Sequence, residues 1–147
     1  MRIVLSLLFC CFLSACEGQN FSDSTGNTIK INDQSGRLIM LNYWATWCKP
    51  CIKEIPEFNQ FAEKHQKNIR LYGVNFDQAQ GDELVAQIQA LNIQFPVFSQ
   101  DPSSSLGLAP PQGLPTTMVL TDTGKLVLTL EGAQTEASLE QALSKIL

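Results

Sequence analysis

The run Trp44-Ala45-Thr46-Trp47-Cys48-Lys49-Pro50-Cys51 constrains this chain more than any other stretch. It follows the mostly apolar segment 37–44, which reads as a strand buried on both faces. It opens a segment whose apolar residues Ile52, Ile55, Phe58, Phe61 and Ala62 recur at helical spacing. Two thiols are thus expected at a strand-to-helix junction. Unpaired N–H groups and the helix dipole stabilise a thiolate at Cys48, and the ammonium of Lys49 adds to that effect. A Cys48 thiolate attacks a partner's disulfide, and Cys51, one turn in, resolves the mixed disulfide. Pro50 falls in the first turn, where a missing N–H does little harm, whereas Pro56 lies deeper and is expected to kink the helix. The bland alternative is a pair of cysteines that only fill a core helix.

The first residues argue for export. Arg2 precedes an apolar run, Ile3 to Leu13, that is too short to span a bilayer as a helix. Leu13-Ser14-Ala15-Cys16 then resembles a bacterial lipobox, so residues 1–15 read as a lipoprotein signal peptide and Cys16 as the lipidated residue. An ordinary signal cut near Ala15 would instead leave Cys16 a free thiol. Residues 17–27 are polar, and 16–27 read as lipidated cysteine plus flexible tether, followed by one domain at 28–147. Glu17 behind the cysteine favours the outer membrane in enterobacterial-type sorting, a rule that varies, so a periplasm-facing anchor in either bacterial membrane is expected. The net charge of −4, with no basic cluster, argues against nucleic acid and against electrostatic attraction to anionic lipid.

Cysteine usage narrows the chemistry. Of five cysteines, Cys10 and Cys11 lie inside the signal and Cys16 is its lipid acceptor. Only Cys48 and Cys51 remain, too few for a four-cysteine zinc site, and Cys51 is followed by Ile52 where haem attachment needs His. No metal or cofactor is expected. A pair so close in sequence, in a compartment that permits disulfides, suits catalysis better than stapling.

The remaining chain alternates strands and helices. Strands are expected at 28–32, 37–44, 69–76, 116–120 and 125–130, helices from Cys48, at 82–91 and after Thr135, and a brief extended piece at 95–98. Residues 99–113 read as loop. Met40, Tyr43, Trp44 and Met118 read as core, as do Leu139, Ala142, Leu143 and Ile146 on the last helix. His65, the only histidine, reads as a surface residue near a helix C-terminus. The result is an α/β domain with a central mixed β-sheet flanked by helices.

The segment from Trp44 to Pro56 resembles the active-site segment of the TlpA/ResA-like family of membrane-attached disulfide reductases. Gly113-Leu114-Pro115-Thr116-Thr117, followed by Asp122-Thr123-Gly124-Lys125, resembles that family's second motif. The resemblance spans about residues 28–147. It implies a thioredoxin-like fold with the family's extra strand–helix insertion, around residues 77–98. It also implies that Pro115 is cis and lies against the two cysteines, and that Leu114 offers its backbone to an extended substrate segment. Trp47 is expected to shield the sulfurs and border that groove.

Thioredoxins carry a buried aspartate six residues before the nucleophilic cysteine; here that position is Asn42, which cannot take a proton at neutral pH. Glu54, one turn beyond Cys51 on the same helix face, is the candidate base for the Cys51 proton, against the plainer reading of a solvated helix carboxylate. The function expected is a lipid-anchored thiol–disulfide oxidoreductase that reduces disulfides in exported proteins. The family resemblance implies a DsbD- or CcdA-like membrane electron donor, and includes apocytochrome c maturation among the family's tasks. An oxidase or isomerase on the same fold is the alternative, because Lys49-Pro50 does not set the potential. A Cu(I) carrier using both thiolates is a third reading, for which His65 is badly placed.

Overall fold

A computed structural model describes residues 20–33 and 36–146. The expected signal segment, Cys16 and the middle of the expected turn at 33–36 lie outside the described residues. The elements are β1 (Asn20–Ser22), β2 (Thr28–Lys30), a 3₁₀ turn (Ile31–Asp33), β3 (Leu38–Trp44), α1 (Lys49–His65), β4 (Ile69–Asn75), α2 (Gly81–Ala90), β5 (Thr116–Leu120), β6 (Leu126–Glu131) and α3 (Glu136–Leu143). Most expected elements are present within a residue or two; the strand expected at 28–32 ends early, in the 3₁₀ turn.

The main sheet runs β4-β3-β5-β6, with β3 parallel to β4 and antiparallel to β5, and β5 antiparallel to β6. β3 is paired on both edges, and every one of its residues is buried. That explains an apolar run without alternation. The strand's two-residue period still divides it between two cores. Met40 and Trp44 join Ile55, Phe58 and Phe61 of α1 and Leu139 and Leu143 of α3. Ile39, Leu41 and Tyr43 face the opposite way, to Tyr72, Val74, Phe98, Met118 and Leu120. Asn42 has the parity of Met40 and Trp44, so its side chain belongs to the α1 face.

The segment after α2 extends this sheet. Gly73 of β4 donates its N–H to Pro96 O at 2.8 Å and accepts from Phe98 N at 2.9 Å, forming a parallel bridge to Val97. The other side of this piece bridges Asp23, and Ser24 N donates to Val97 O at 2.8 Å. The expected brief strand at 95–98 is therefore real, and with α2 it supplies the strand–helix insertion.

The expectation of a flexible tether through residue 27 is corrected here. Residues 20–22 form β1, which pairs with β2, and the Phe21 ring packs edge-on against Phe98 with centroids 5.6 Å apart. The Asp23 carboxylate accepts from the backbone N–H groups of Thr25 and Asn27, both at 2.9 Å, and so organises the turn. Burial pushes the Asp23 carboxyl up, but the Thr25 hydroxyl and the Asn27 side-chain amide, which also donate to it, together with these two backbone bonds hold it below the usual carboxylate range. One aromatic anchor and one Asx turn are too little periodicity to read as a strand from sequence.

The helices follow their end signals. Thr135 caps α3 in a capping box: its hydroxyl accepts from Ser138 N at 3.2 Å, while Ser138 Oγ accepts from Thr135 N at 2.9 Å. Leu139 and Leu143 are buried, whereas Ala142 and Ile146 are half-buried. α1 continues through Pro56 to His65, with Ile55, Phe58 and Phe61 on its buried face. Ile52, expected on that face, is 39% exposed beside the dithiol. No helix among the described residues is long and apolar enough to cross a membrane.

Gly73 is closely packed in the sheet. A Cβ there would lie 2.9 Å from Trp44 Nε1, 3.0 Å from Val97 Cγ2 and 3.2 Å from Phe95 Cε2. Gly73→Ala should destabilise the domain by about 1–3 kcal/mol through overpacking, measured by urea denaturation of the oxidised protein. An unchanged midpoint would show that the β4–insertion contact is loose.

Candidate active site

The site forms where β3 ends. Trp44 is its last residue, and a short turn leads to Cys48, whose extended backbone (φ −82°, ψ 94°) makes it the N-cap of α1. Ile52 N donates to Cys48 O at 3.1 Å, the first bond of the helix, and Cys48 Sγ accepts from Cys51 N at 3.3 Å. The sulfur thus occupies the position a capping oxygen would take, where helix N–H groups converge. Pro50 lies in the first turn and spends no N–H there. Cys48 and Cys51 are joined in a disulfide with Cα atoms 5.3 Å apart. Cys48 retains 4% exposure and Cys51 none, so Cys48 is the member of the pair that still meets solvent.

Antiparallel pairing brings the second motif to the same end of the sheet. Tyr43 of β3 pairs with Thr116, the first residue of β5, so Pro115 arrives beside the end of β3 that launches the dithiol. The Leu114–Pro115 peptide is cis, as the resemblance implied. Thr116 Oγ1 donates to Gly113 O at 2.8 Å, and Gly132 N donates to Pro115 O at 2.9 Å, fixing the loop on both sides. Among the described residues, no hydrogen bond takes up the Leu114 backbone. A hollow of about 230 Å³ adjoins this loop, lined by Gln112 to Thr116 with Glu131 and Gly132.

Trp47, expected to shield the sulfurs, is largely open to solvent. It is 62% exposed, its ring meets Phe76 edge-on with centroids 6.4 Å apart, and its Nε1 donates to Asp77 Oδ2 at 2.9 Å. Phe76 and Ile52, each 39% exposed, extend this apolar rim. Lys49 is exposed on the first turn of α1.

Glu54 is not a solvated carboxylate. It is 2% exposed, with Oε1 accepting from Asn42 Nδ2 at 2.8 Å and Oε2 accepting from Gln134 N at 2.8 Å. Burial raises its pKa to about 7, despite the opposing effect of these two hydrogen bonds. Asn42 Nδ2 also donates to Thr117 Oγ1 at 3.2 Å. A polar chain therefore runs Thr117–Asn42–Glu54–Gln134 through otherwise apolar packing, with Glu54 one turn past Cys51. A group that titrates near neutrality in that place can take a proton and return it.

Thr117, Gln134, Phe76 and Asp77 are not legible as site residues in the sequence. The pairing of Asn42 with Thr117 is the only route to the first, and it crosses 75 residues of chain. His65, the last residue of α1, is ~25 Å from Cys48 by the 1.5 Å rise per residue, so it cannot share a ligand with the thiols. It is half-buried, stacks on Phe61 with centroids 4.5 Å apart, and pairs with Glu140 at 3.2 Å.

Residues 15–129 match the model of the AhpC/TSA family. The chain is 32% identical over 135 residues to the thiol-disulfide oxidoreductase ResA of Bacillus cereus, covering 88% of this chain and 76% of the relative. Its structure is similar to StoA from Bacillus subtilis, with a TM-score of 0.68 and 26% identity, covering 84% of this chain and 93% of that one. It is also similar to a putative thiol:disulfide interchange protein DsbE from Chlorobium tepidum, with a TM-score of 0.67 and 27% identity over 87% of this chain and 92% of that one.

The raised pKa of Glu54 has a consequence for stability. The folded state binds this proton more tightly than the unfolded chain, whose carboxyl has a pKa of 4.5. The group therefore costs nothing below pH 4.5; its cost grows as pH rises from 4.5 to 7 and is constant above, reaching about 3 kcal/mol. With the disulfide closed, the cysteines do not contribute. Denaturation of oxidised wild type and Glu54→Gln across pH 4–9 should show a falling slope between 4.5 and 7 in the wild type only. Parallel curves would place the titration elsewhere.

Proposed function

Because this chain belongs to the AhpC/TSA family and is a thioredoxin-fold thiol–disulfide oxidoreductase related to ResA, we propose that it is a lipid-anchored, periplasm-facing reductase of disulfides in exported proteins. The observation that carries the reading is the buried Glu54 one turn behind a dithiol that caps a helix, with cis-Pro115 brought to the same end of the sheet.

In the reduced enzyme the Cys48 thiolate, held at the N-terminus of α1, attacks one sulfur of a substrate disulfide. A mixed disulfide forms, and the substrate's other sulfur leaves as a thiolate that takes a proton. Cys51 then gives its proton to the Glu54 carboxylate and attacks the Cys48 sulfur. The second substrate sulfur leaves as a thiolate that takes a proton from solvent, and the enzyme ends with Cys48 and Cys51 joined, the state of this structure. Glu54, with a pKa of about 7, is ionised in a large fraction of molecules at neutral pH and is protonated after the step. The unclaimed Leu114 backbone offers strand-like hydrogen bonds to an extended substrate segment, and Trp47, Phe76 and Ile52 offer an apolar rim beside the sulfurs. Two electrons from a membrane donor of DsbD or CcdA type restore the dithiol. Support for anchoring comes from the lipobox-like Leu13-Ser14-Ala15-Cys16. Apocytochrome c is one substrate consistent with the relationship to ResA. An oxidase running the same steps backwards is the competing reading.

Three measurements test this. Cys51→Ser should accumulate mixed disulfides at Cys48 in cells, while Cys48→Ser should accumulate none; equal trapping by both would exchange the roles. Acid quenching and thiol alkylation in growing cells should find the wild-type pair mostly reduced, and a mostly oxidised pair would favour the oxidase. Cys16→Ser should shift the protein from the membrane to the soluble fraction, and unchanged fractionation would remove the lipid anchor from the proposal.

A further inference from the structure

The polar chain beneath the dithiol has one unmatched atom. Asn42 is fully buried at the middle of β3. Both of its amide hydrogens are used, one on Glu54 Oε1 at 2.8 Å and one on Thr117 Oγ1 at 3.2 Å. Its carbonyl, Oδ1, is buried and has no hydrogen-bond partner. A buried acceptor without a donor is costly, so a chain that keeps one calls for a reason.

The donor count suggests that reason. As arranged, the network suits an ionised Glu54: Oε1 and Oε2 both accept, from Asn42 Nδ2 and from Gln134 N. Gln134 N is a backbone donor and cannot turn into an acceptor. The carbonyl oxygen of a protonated carboxyl is the better acceptor, so the Gln134 N–H favours the proton on Oε1, where it meets the Asn42 NH₂, donor against donor. A half-turn of the amide about its last side-chain bond exchanges Oδ1 and Nδ2, which are nearly equal in size. Oδ1 then accepts from the Glu54 O–H and from the Thr117 hydroxyl, which donates as readily as it accepts. Either orientation leaves one amide atom unpaired. The two differ chiefly in which protonation state of Glu54 they fit.

We propose that Asn42 is a positioning residue that turns its amide with each protonation of Glu54, so that the buried carboxyl is hydrogen-bonded both before and after it takes the Cys51 proton. This rests on the reading of Glu54 as the group that receives that proton. Glu54 is hydrogen-bonded by Asn42 from β3, which also reaches Thr117 of β5, and by Gln134 from the turn before α3, while Cys51 and Glu57 lie one turn before and after it along α1. Glu57 is engaged elsewhere, accepting from Glu136 N at 2.9 Å. An aspartate at position 42 would compete for the same proton. An amide carries none, yet pairs with the carboxyl in both states.

The test is nuclear magnetic resonance on the oxidised, isotope-labelled protein, where neither thiol titrates. The Glu54 side-chain carboxyl carbon and the Asn42 side-chain amide should titrate with one midpoint. The contacts of the amide protons with Thr117 should be present at high pH and lost at low pH. Asn42→Leu removes the stronger, charge-assisted bond to the carboxylate together with the weaker bond to the protonated acid, so it should raise the Glu54 midpoint. An Asn42 amide that keeps the same contacts while Glu54 titrates overturns the proposal. Glu54→Gln separates the two ideas. If it leaves the pH profile of disulfide reduction unchanged while Asn42 follows Glu54, the turning amide stands and the catalytic reading of Glu54 falls. If it alters that profile while Asn42 ignores the titration, only the amide proposal falls.

Discussion

β3 governs this molecule because it is paired on both edges and covered on both faces. A strand so enclosed has no freedom in register or direction, and its last residue, Trp44, becomes a fixed point in space. The turn that follows delivers Cys48 to the N-terminus of α1, and α1 is held by Ile55, Phe58 and Phe61 against the same strand. Burial of those three side chains contributes roughly 1.5–3 kcal/mol each, enough to hold the first turn of the helix and its sulfurs in one place. β5 pairs antiparallel to β3, so the loop before it must arrive where β3 ends, and that loop carries Pro115. The dithiol and the cis-proline come to the same end of the sheet because one strand organises both.

The same strand admits a polar residue at its centre. Asn42 shares the face of Met40 and Trp44, and α1 covers that face. Glu54 is therefore buried against it and loses most of its hydration, which is why its pKa rises to about 7. A solvated glutamate on the same helix would remain ionised through the neutral range and would be a poor acceptor for a thiol proton. Burial costs stability above pH 7 and supplies a proton acceptor matched to the working pH, a conflict of stability with function at a catalytic group.

The outer elements protect this arrangement. The 95–98 piece and the β1–β2 hairpin cover the β4 edge, and with it a row of backbone groups that would otherwise invite another chain. The rim of Trp47, Phe76 and Ile52 remains open. Apolar side chains left in water beside a sulfur suit a surface that meets other proteins through their own apolar segments.

The sequence alone determined what depends on neighbours along the chain. The spacing of Cys48 and Cys51, the apolar period of α1, the Thr135 cap and the enclosed character of β3 are local, and each appears in the structure. The cis state of Pro115 was legible only through resemblance. Where local signals were weak, the sequence misled: β1 rests on Phe21 meeting Phe98 and on the Asp23 turn, contacts that leave no period in residues 17–27. Helical spacing puts Ile52 on the buried face of α1 and the family resemblance puts Trp47 over the sulfurs, yet both are exposed at the start of α1. Tertiary structure alone decided that Glu54 is buried and that its partners are Asn42, 12 residues before it, and Gln134, 80 residues after it. The reason is physical. A side chain's charge state depends on how much water surrounds it, and water is excluded by chain segments that sequence order does not bring together.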